Sequence, residues 1–356
     1  MVAPAGLAAN RFHIEDISDL TGKIAIVTGG SRGIGEATTS ALVQKGCEGM
    51  SDLVVNSKVA PLMITSVHIL SATESHANET ISNIAEHTPS AKSLIHFHQV
   101  DLGSLKSVIS LGENLAKSLS HIDMVYLIAG VGVAPFGLTS DGLGNHFAVN
   151  HLAHMVLVDQ LLGKLKETSA RKQGSDDELE KFSTRIVAES SELHRTAPSD
   201  VKCESEEEMS HEKDANRLYS RSKLFNILFI RQLAKYHLPA LSSQNPVIAL
   251  SVHPGAVATE QQKGSAEAYG PLGKILEGAA NLLFKSKEQG CESALWAGTG
   301  ASVVERREEV QGKYLTEADG KVDTETKQAM DDKLAQNLWD LSVRILKDKM
   351  GYDVKM

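Results

Sequence analysis

Apolar runs alternate with amphipathic stretches along most of the chain. Ile24-Ala25-Ile26-Val27 is apolar without a break, as expected for a strand covered on both faces of a parallel sheet. A glycine-rich turn follows, then a helical pattern over about 34–44, with Gly46 placed to end it. Two segments could supply the second strand, 52–57 and 67–71. The second is preferred because a helical pattern over 76–86 follows it closely, which makes 49–66 an insertion. Further strands are expected at 93–100, 124–128, 185–189 and 247–252. Helices are expected at 105–119, 144–165, 218–235, 288–296 and 328–346. The stretches 166–184 and 194–215 are charged and polar and read as solvated loops. Strand and helix alternate at least six times, the form of a single doubly wound parallel α/β sheet with helices on both faces.

Composition narrows the partners. The 356 residues carry 36 Lys+Arg against 45 Asp+Glu, a net charge of −9, which disfavours nucleic acid. A hydrophobic fraction of 42% and a charged fraction of 23% supply ample core and exclude global disorder. No apolar stretch is long enough for a membrane span. The first twenty residues lack the basic start and apolar run of a signal peptide. Cys47, Cys203 and Cys291 form no CxxC pair, so a reduced, cytoplasmic setting is expected.

The first strand runs into Thr28-Gly29-Gly30-Ser31-Arg32-Gly33-Ile34-Gly35. Glycines let backbone approach a pyrophosphate, and the helix N-terminus that follows offers free N–H groups. This loop resembles the cofactor loop of the short-chain dehydrogenase/reductase family, whose Rossmann fold and nicotinamide chemistry are then expected here. Family motifs recur in order: Asp101-Leu102, Ala129-Gly130, Asn150, Ser190-Ser191, Tyr219-x-x-x-Lys223, and Pro254-Gly255 with Val257 and Thr259. The resemblance covers about 23–341. Within the family, 150–154, 219–226 and 337–339 are similar to the retinol-dehydrogenase-like and WW-domain-oxidoreductase-like branch.

The resemblance implies that Thr28, Gly29, Ser31, Arg32, Gly33, Ile34, Gly35, Asp101, Leu102, Ala129, Gly130, Tyr219, Lys223, Pro254, Gly255, Val257 and Thr259 bind the cofactor. Arg32 stands just before the second loop glycine, where a guanidinium suits a 2′-phosphate, so NADP(H) is favoured over NAD(H). Asn150, Ser191, Tyr219 and Lys223 match the catalytic set. Tyr219 and Lys223 are four apart and share a helix face. A phenol titrates near about 10 in water, and a neighbouring ammonium favours its ionised form. That pairing makes an acid/base catalyst. Ser190 and Ser191 face opposite ways on a strand, and the family aligns the second. One departure is clear: the family's Asn-Asn-Ala-Gly is Leu127-Ile128-Ala129-Gly130.

The expected activity is NADP(H)-dependent interconversion of a carbonyl and an alcohol, on a lipophilic or secondary-metabolite substrate. The alternative is a catalytically silent nucleotide-binding or scaffold protein. No metal is expected, because the fourteen histidines lack carboxylate or thiolate partners at ligand spacing. The expected organisation is a leader over 1–22, one domain over 23–347 with a substrate lid at 260–286, and a tail over 348–356. The segment 49–66 is either a surface insertion or translated intron sequence. Family habit suggests a homodimer or homotetramer.

Overall fold

The computed structural model describes residues 12–53, 65–171, 183–211, 214–238, 246–255, 286–316, 318 and 320–356, with side chains left out over 47–53. Among these residues, seven strands form one sheet: β1 (Ile24–Thr28), β2 (Ser66–Ser71), β3 (Ile95–Gln99), β4 (Met124–Leu127), β5 (Thr184–Glu189), β6 (Val247–Val252) and β7 (Tyr314–Leu315). They lie in the order β3-β2-β1-β4-β5-β6-β7, and every pairing is parallel. The order reverses between β1 and β4, which opens a crevice at their carboxyl ends.

Among the described residues, seven longer helices cover the sheet: α1 (Gly33–Leu53), α2 (Glu74–His87), α3 (Leu105–Ser118), α4 (Ala153–Arg171), α5 (Ala215–Tyr236), α6 (Lys287–Thr299) and α7 (Asp332–Met350). The strands are apolar on both faces because each face has its own helical layer. Ile26, Val125, Leu127, Ile186 and Ala188 pack with α3, α4, α5 and α7. Ala25, Val27, Tyr126, Val187, Ile248 and Leu250 pack with α1 and α6, and Phe12, Ile17 and Leu20 join that layer from the N-terminal segment.

Several boundaries differ from the sequence reading. Helix α1 runs through Gly46 to Leu53. A Cβ at Gly46 would lie 2.4 Å from Thr65 Cγ2, so this glycine serves close packing rather than helix termination. Of the supposed insertion, 49–53 continue α1, Thr65 is buried, and Ser66 begins β2; 54–64 lie outside the described residues. Residues 166–171 belong to α4. The stretch 194–215 is only partly solvated. It holds a short helix, Glu206–Ser210, capped by Ser205, with Val201, Cys203 and Met209 buried. Arg221 on α5 anchors it by donating to Glu208 O at 2.6 Å and Met209 O at 3.0 Å. Strand β7 is too short to leave a period. The last helix starts at Asp332, where Asp331 caps two N–H groups, and it runs on to Met350. The tail then folds back: Tyr352 donates to Asp159, which also accepts from the N–H groups of Lys355 and Met356, each at 2.8 Å.

Among the buried histidines, three are held far below the usual histidine range. Burial, with His96 and His98 nearby, lowers His68 to about 3. Burial also lowers His151 to about 3, helped by His154, and His154 to about 3, helped by Lys223. Unfolded, each titrates near about 6.5. A depressed folded value gives stability that is complete above about 6.5 and lost as pH falls toward 3. The melting temperature should therefore drop steadily below neutrality. His151, whose Nε2 meets Ser342 Oγ at 2.8 Å among Phe147, Phe225 and Phe229, carries part of that slope. His151→Phe should flatten the acid limb in melting curves from neutral to pH about 5; an unchanged slope would remove His151 from the account.

Candidate functional site

The turn from β1 to α1 is built on three glycines. Gly29 and Gly33 hold φ of +69° and +55°, left-handed values that side chains resist. A Cβ on Gly35 would lie 2.2 Å from Gly29 O. The loop therefore folds onto itself and aims the start of α1 into the crevice. That crevice is about 560 Å³, lined along its length by Gly29, Ser31, Arg32, Gly33, Ile34 and Gly35. Ala129, Gly130 and Glu189 line it near β4 and β5; Asp101 and Leu102 line it from beyond β3. Its volume suits a bound small molecule or cofactor, and bare backbone at a helix N-terminus suits phosphate. The residues present thus fit a dinucleotide.

Arg32 stands at one end with Ser71, Ala72 and His76. Its Nη2 donates to Glu79 Oε2 on α2 at 2.9 Å, and the two side chains are 40% and 54% exposed. An ion pair that open is weak, so an incoming phosphate can replace Glu79. Asp101 lines the crevice, yet its Oδ1 also accepts from Gly103 N at 2.7 Å, so it caps its own loop.

Thr28 sits differently from the expectation. It is fully buried and does not line the crevice. Its Oγ1 accepts from Ile128 N at 2.9 Å and Ala129 N at 3.0 Å, and lies 3.1 Å from His154 Nε2. Thr28 thus pins the end of β4 where Leu127 and Ile128 replace the expected asparagines. Asn150 lies in a turn of π-helix, Ala148–Leu152, a distortion frequent at functional sites. Its Oδ1 accepts from Val131 N at 2.6 Å, and its Nδ2 donates to Val131 O at 3.0 Å and to Ser222 Oγ at 2.9 Å. Ser222 Oγ donates to Tyr219 O at 2.7 Å. Asn150 therefore ties the post-β4 segment to the helix that carries Tyr219.

The two serines after β5 separate cleanly. Ser190 is fully buried and donates to Lys223 O at 2.7 Å. Ser191 is half-buried, and its Oγ accepts from Leu193 N at 3.2 Å, which leaves the hydroxyl proton for another acceptor. His194 fixes this turn, with Nδ1 on Ser191 O at 2.7 Å and Nε2 facing Thr326 N at 3.3 Å.

On α5, Lys223 Nζ lies 5.5 Å from the centre of the Tyr219 ring. Lys223 is buried, and Nζ donates to Glu189 O at 3.2 Å and to Glu189 Oε1 at 3.5 Å. Burial pulls the ammonium down, but Tyr219 and Glu189 outweigh it and hold it above the usual lysine range. Burial pushes the Glu189 carboxyl up, with Lys223 opposing. Glu189 was absent from the expected set. The available signal was a carboxylate at the end of an apolar strand, directly before Ser190-Ser191.

Pro254 and Gly255 follow β6, and Gly255 has φ +89°; Val257, Thr259 and 260–285 lie outside the described residues. Among the described residues no helix is long and apolar enough to cross a membrane.

The model of the family described as short chain dehydrogenase matches residues 23–175. Short-chain dehydrogenase TIC 32 A, chloroplastic, of Brassica napus is 30% identical over 96% of this chain and 93% of its own length. Retinol dehydrogenase 14 of Homo sapiens is 28% identical over 90% of this chain and 85% of its own. Among solved structures, a 3-oxoacyl (acyl-carrier-protein) reductase from Agrobacterium tumefaciens with NADP bound superposes with a TM-score of 0.57. It is 20% identical, over 85% of this chain and 95% of that one, and shows the fold alone.

Proposed function

The chain belongs to the short-chain dehydrogenase/reductase family, in its retinol-dehydrogenase-like branch, and is an NAD(P)-dependent oxidoreductase; from this premise we propose that it is an NADP(H)-dependent carbonyl reductase or alcohol dehydrogenase acting on a lipophilic substrate. The observation that carries this reading is the Tyr219–Lys223 pair, 5.5 Å from ring centre to ammonium, at the carboxyl end of β5 beside the crevice.

The glycine loop and the start of α1 would hold the pyrophosphate, and Arg32 a 2′-phosphate. When bound, the nicotinamide supplies a hydride to a carbonyl or takes one from an alcohol. The Ser191 hydroxyl donates to the substrate oxygen and steadies charge that develops there. The Tyr219 Oη gives its proton to that oxygen in reduction and takes it in oxidation. The Lys223 ammonium stands beside the Tyr219 ring, and Asn150 holds the segments together through Val131 and Ser222. The site also admits a silent nucleotide-binding role, though Thr28 keeps the end of β4 pinned despite the missing asparagines.

Purified protein incubated with NADPH or NADH and a panel of ketones and aldehydes tests the proposal. Turnover is expected with NADPH; cofactor binding with no turnover on any carbonyl would favour the silent reading. Cofactor choice has its own test. Charge-assisted hydrogen bonds contribute about 1.5–3 kcal/mol, so Arg32→Ala should weaken NADPH binding about tenfold or more and barely move NADH. Glu79→Gln, which frees Arg32, should tighten NADPH. Equal losses for both cofactors in titration calorimetry would contradict the assigned role.

A further inference from the structure

Glu189 ends β5, a strand whose other positions are mostly apolar and whose residues are all buried. Its carboxylate and its carbonyl oxygen both reach one group, the Lys223 ammonium, at 3.5 Å and 3.2 Å. The carbonyl also accepts from Asn226 Nδ2 at 2.8 Å. The second carboxylate oxygen, Oε2, is buried and has no hydrogen-bond partner among the described residues. The residue lines the crevice at the end where β4 and β5 meet.

A carboxylate in such a place is costly unless a charge answers it. An ammonium buried at 3% exposure faces the reverse pressure, to give up its proton. Each makes the other's charged form tolerable. We propose that Glu189 is a positioning residue of this site: by pairing with Lys223 it fixes the ammonium beside Tyr219 and keeps it charged. The role rests on the acid/base reading of Tyr219 and Lys223, and the chemistry still belongs to those two.

Tyr219, on the same helix, also holds the ammonium up, ahead of the Glu189 charge, but it is the group read as exchanging the proton and offers no fixed charge. The other titratable groups nearby do not supply the effect. His154 on α4 is kept neutral, partly by Lys223 itself. His253, after β6, meets Glu192 N at 3.3 Å. Glu192 is bound by Arg195 and Tyr314. Across the crevice, Lys287 is paired with Glu36 at 3.0 Å.

The experiment compares the full-length protein with Glu189→Gln, which keeps size and hydrogen bonding but removes charge. In cofactor-free protein labelled with carbon-13 at lysine Cε, Lys223 is assigned by its loss in Lys223→Arg. Wild type should keep the charged signal past the ordinary lysine range of about 10.4. Glu189→Gln should lower the midpoint by about one pH unit or more. The alkaline limb of kcat/KM should move down by the same amount, and Glu189→Asp should restore part of the shift. Coincident midpoints in wild type and Glu189→Gln would overturn the proposal, because a merely packed or protonated Glu189 leaves Lys223 unmoved. Should Glu189→Gln fail to fold, Glu189→Met, which also removes the charge at similar size, decides: a downward shift supports the role, and none overturns it. Full turnover by Tyr219→Phe would instead sink the underlying acid/base reading, whatever Glu189 does.

Discussion

Tyr219→Phe should cut turnover with a carbonyl substrate by about 10²–10⁴-fold, the usual contribution of a positioned general acid. The change removes one oxygen from a half-buried ring and leaves packing in place. Lys223 keeps its bonds to Glu189, so the fold and the crevice should persist. The loss should fall on kcat, with cofactor binding within a few-fold of wild type. NADPH consumption at saturating substrate, alongside a melting curve, measures both. A variant that keeps full turnover would show that another group supplies the proton. A variant that melts early would show that the phenol is a structural bond instead. Neither result is expected, because Tyr219 meets its neighbours through its ring and its backbone carbonyl.

Gly35→Ala should damage the phosphate loop from within. The added Cβ would meet Gly29 O at 2.2 Å and Gly29 C at 2.7 Å. Both are backbone atoms, and Gly29 already sits at a left-handed φ of +69°, so no flexible side chain can give way. Overpacking of this kind costs about 1–3 kcal/mol, and the strain falls on the N–H groups that face the crevice. A lower melting temperature and NADPH affinity reduced about tenfold or more are expected. Gly163→Ala is the control. Gly163 lies in α4 with no heavy atom within 4 Å of its added Cβ, and an exposed helical glycine gains up to about 1 kcal/mol on becoming alanine. If both variants bound NADPH like wild type, the loop would not be the phosphate cradle.

How much could be read in advance depended on how local the signal was. Strand β1 was legible because both of its faces are buried, which leaves an unbroken apolar run. The Tyr219–Lys223 pair was legible because helical spacing alone places them together. The limits of α1 were not, because Gly46 has two physical uses, ending a helix or admitting a neighbour. Only Thr65, held against it by the β1–β2 pairing, shows which applies. The stretch 194–215 looked solvated from its acidic run. Arg221, on a helix further along the chain, collects Glu208 O and Met209 O and turns it into packed structure.

By itself the sequence determined the alternation of strand and helix, the glycine loop at the first turn, and the helical spacing that sets Lys223 beside Tyr219. Each is written in short-range spacing that local backbone geometry converts directly into structure. Tertiary structure alone decided that Thr28 clamps β4 rather than lining the crevice, and that Glu189 meets Lys223. Those facts join positions 34 to 126 residues apart. No local period records such pairings, because they arise when separate strands and helices bring their ends to the same edge of the sheet.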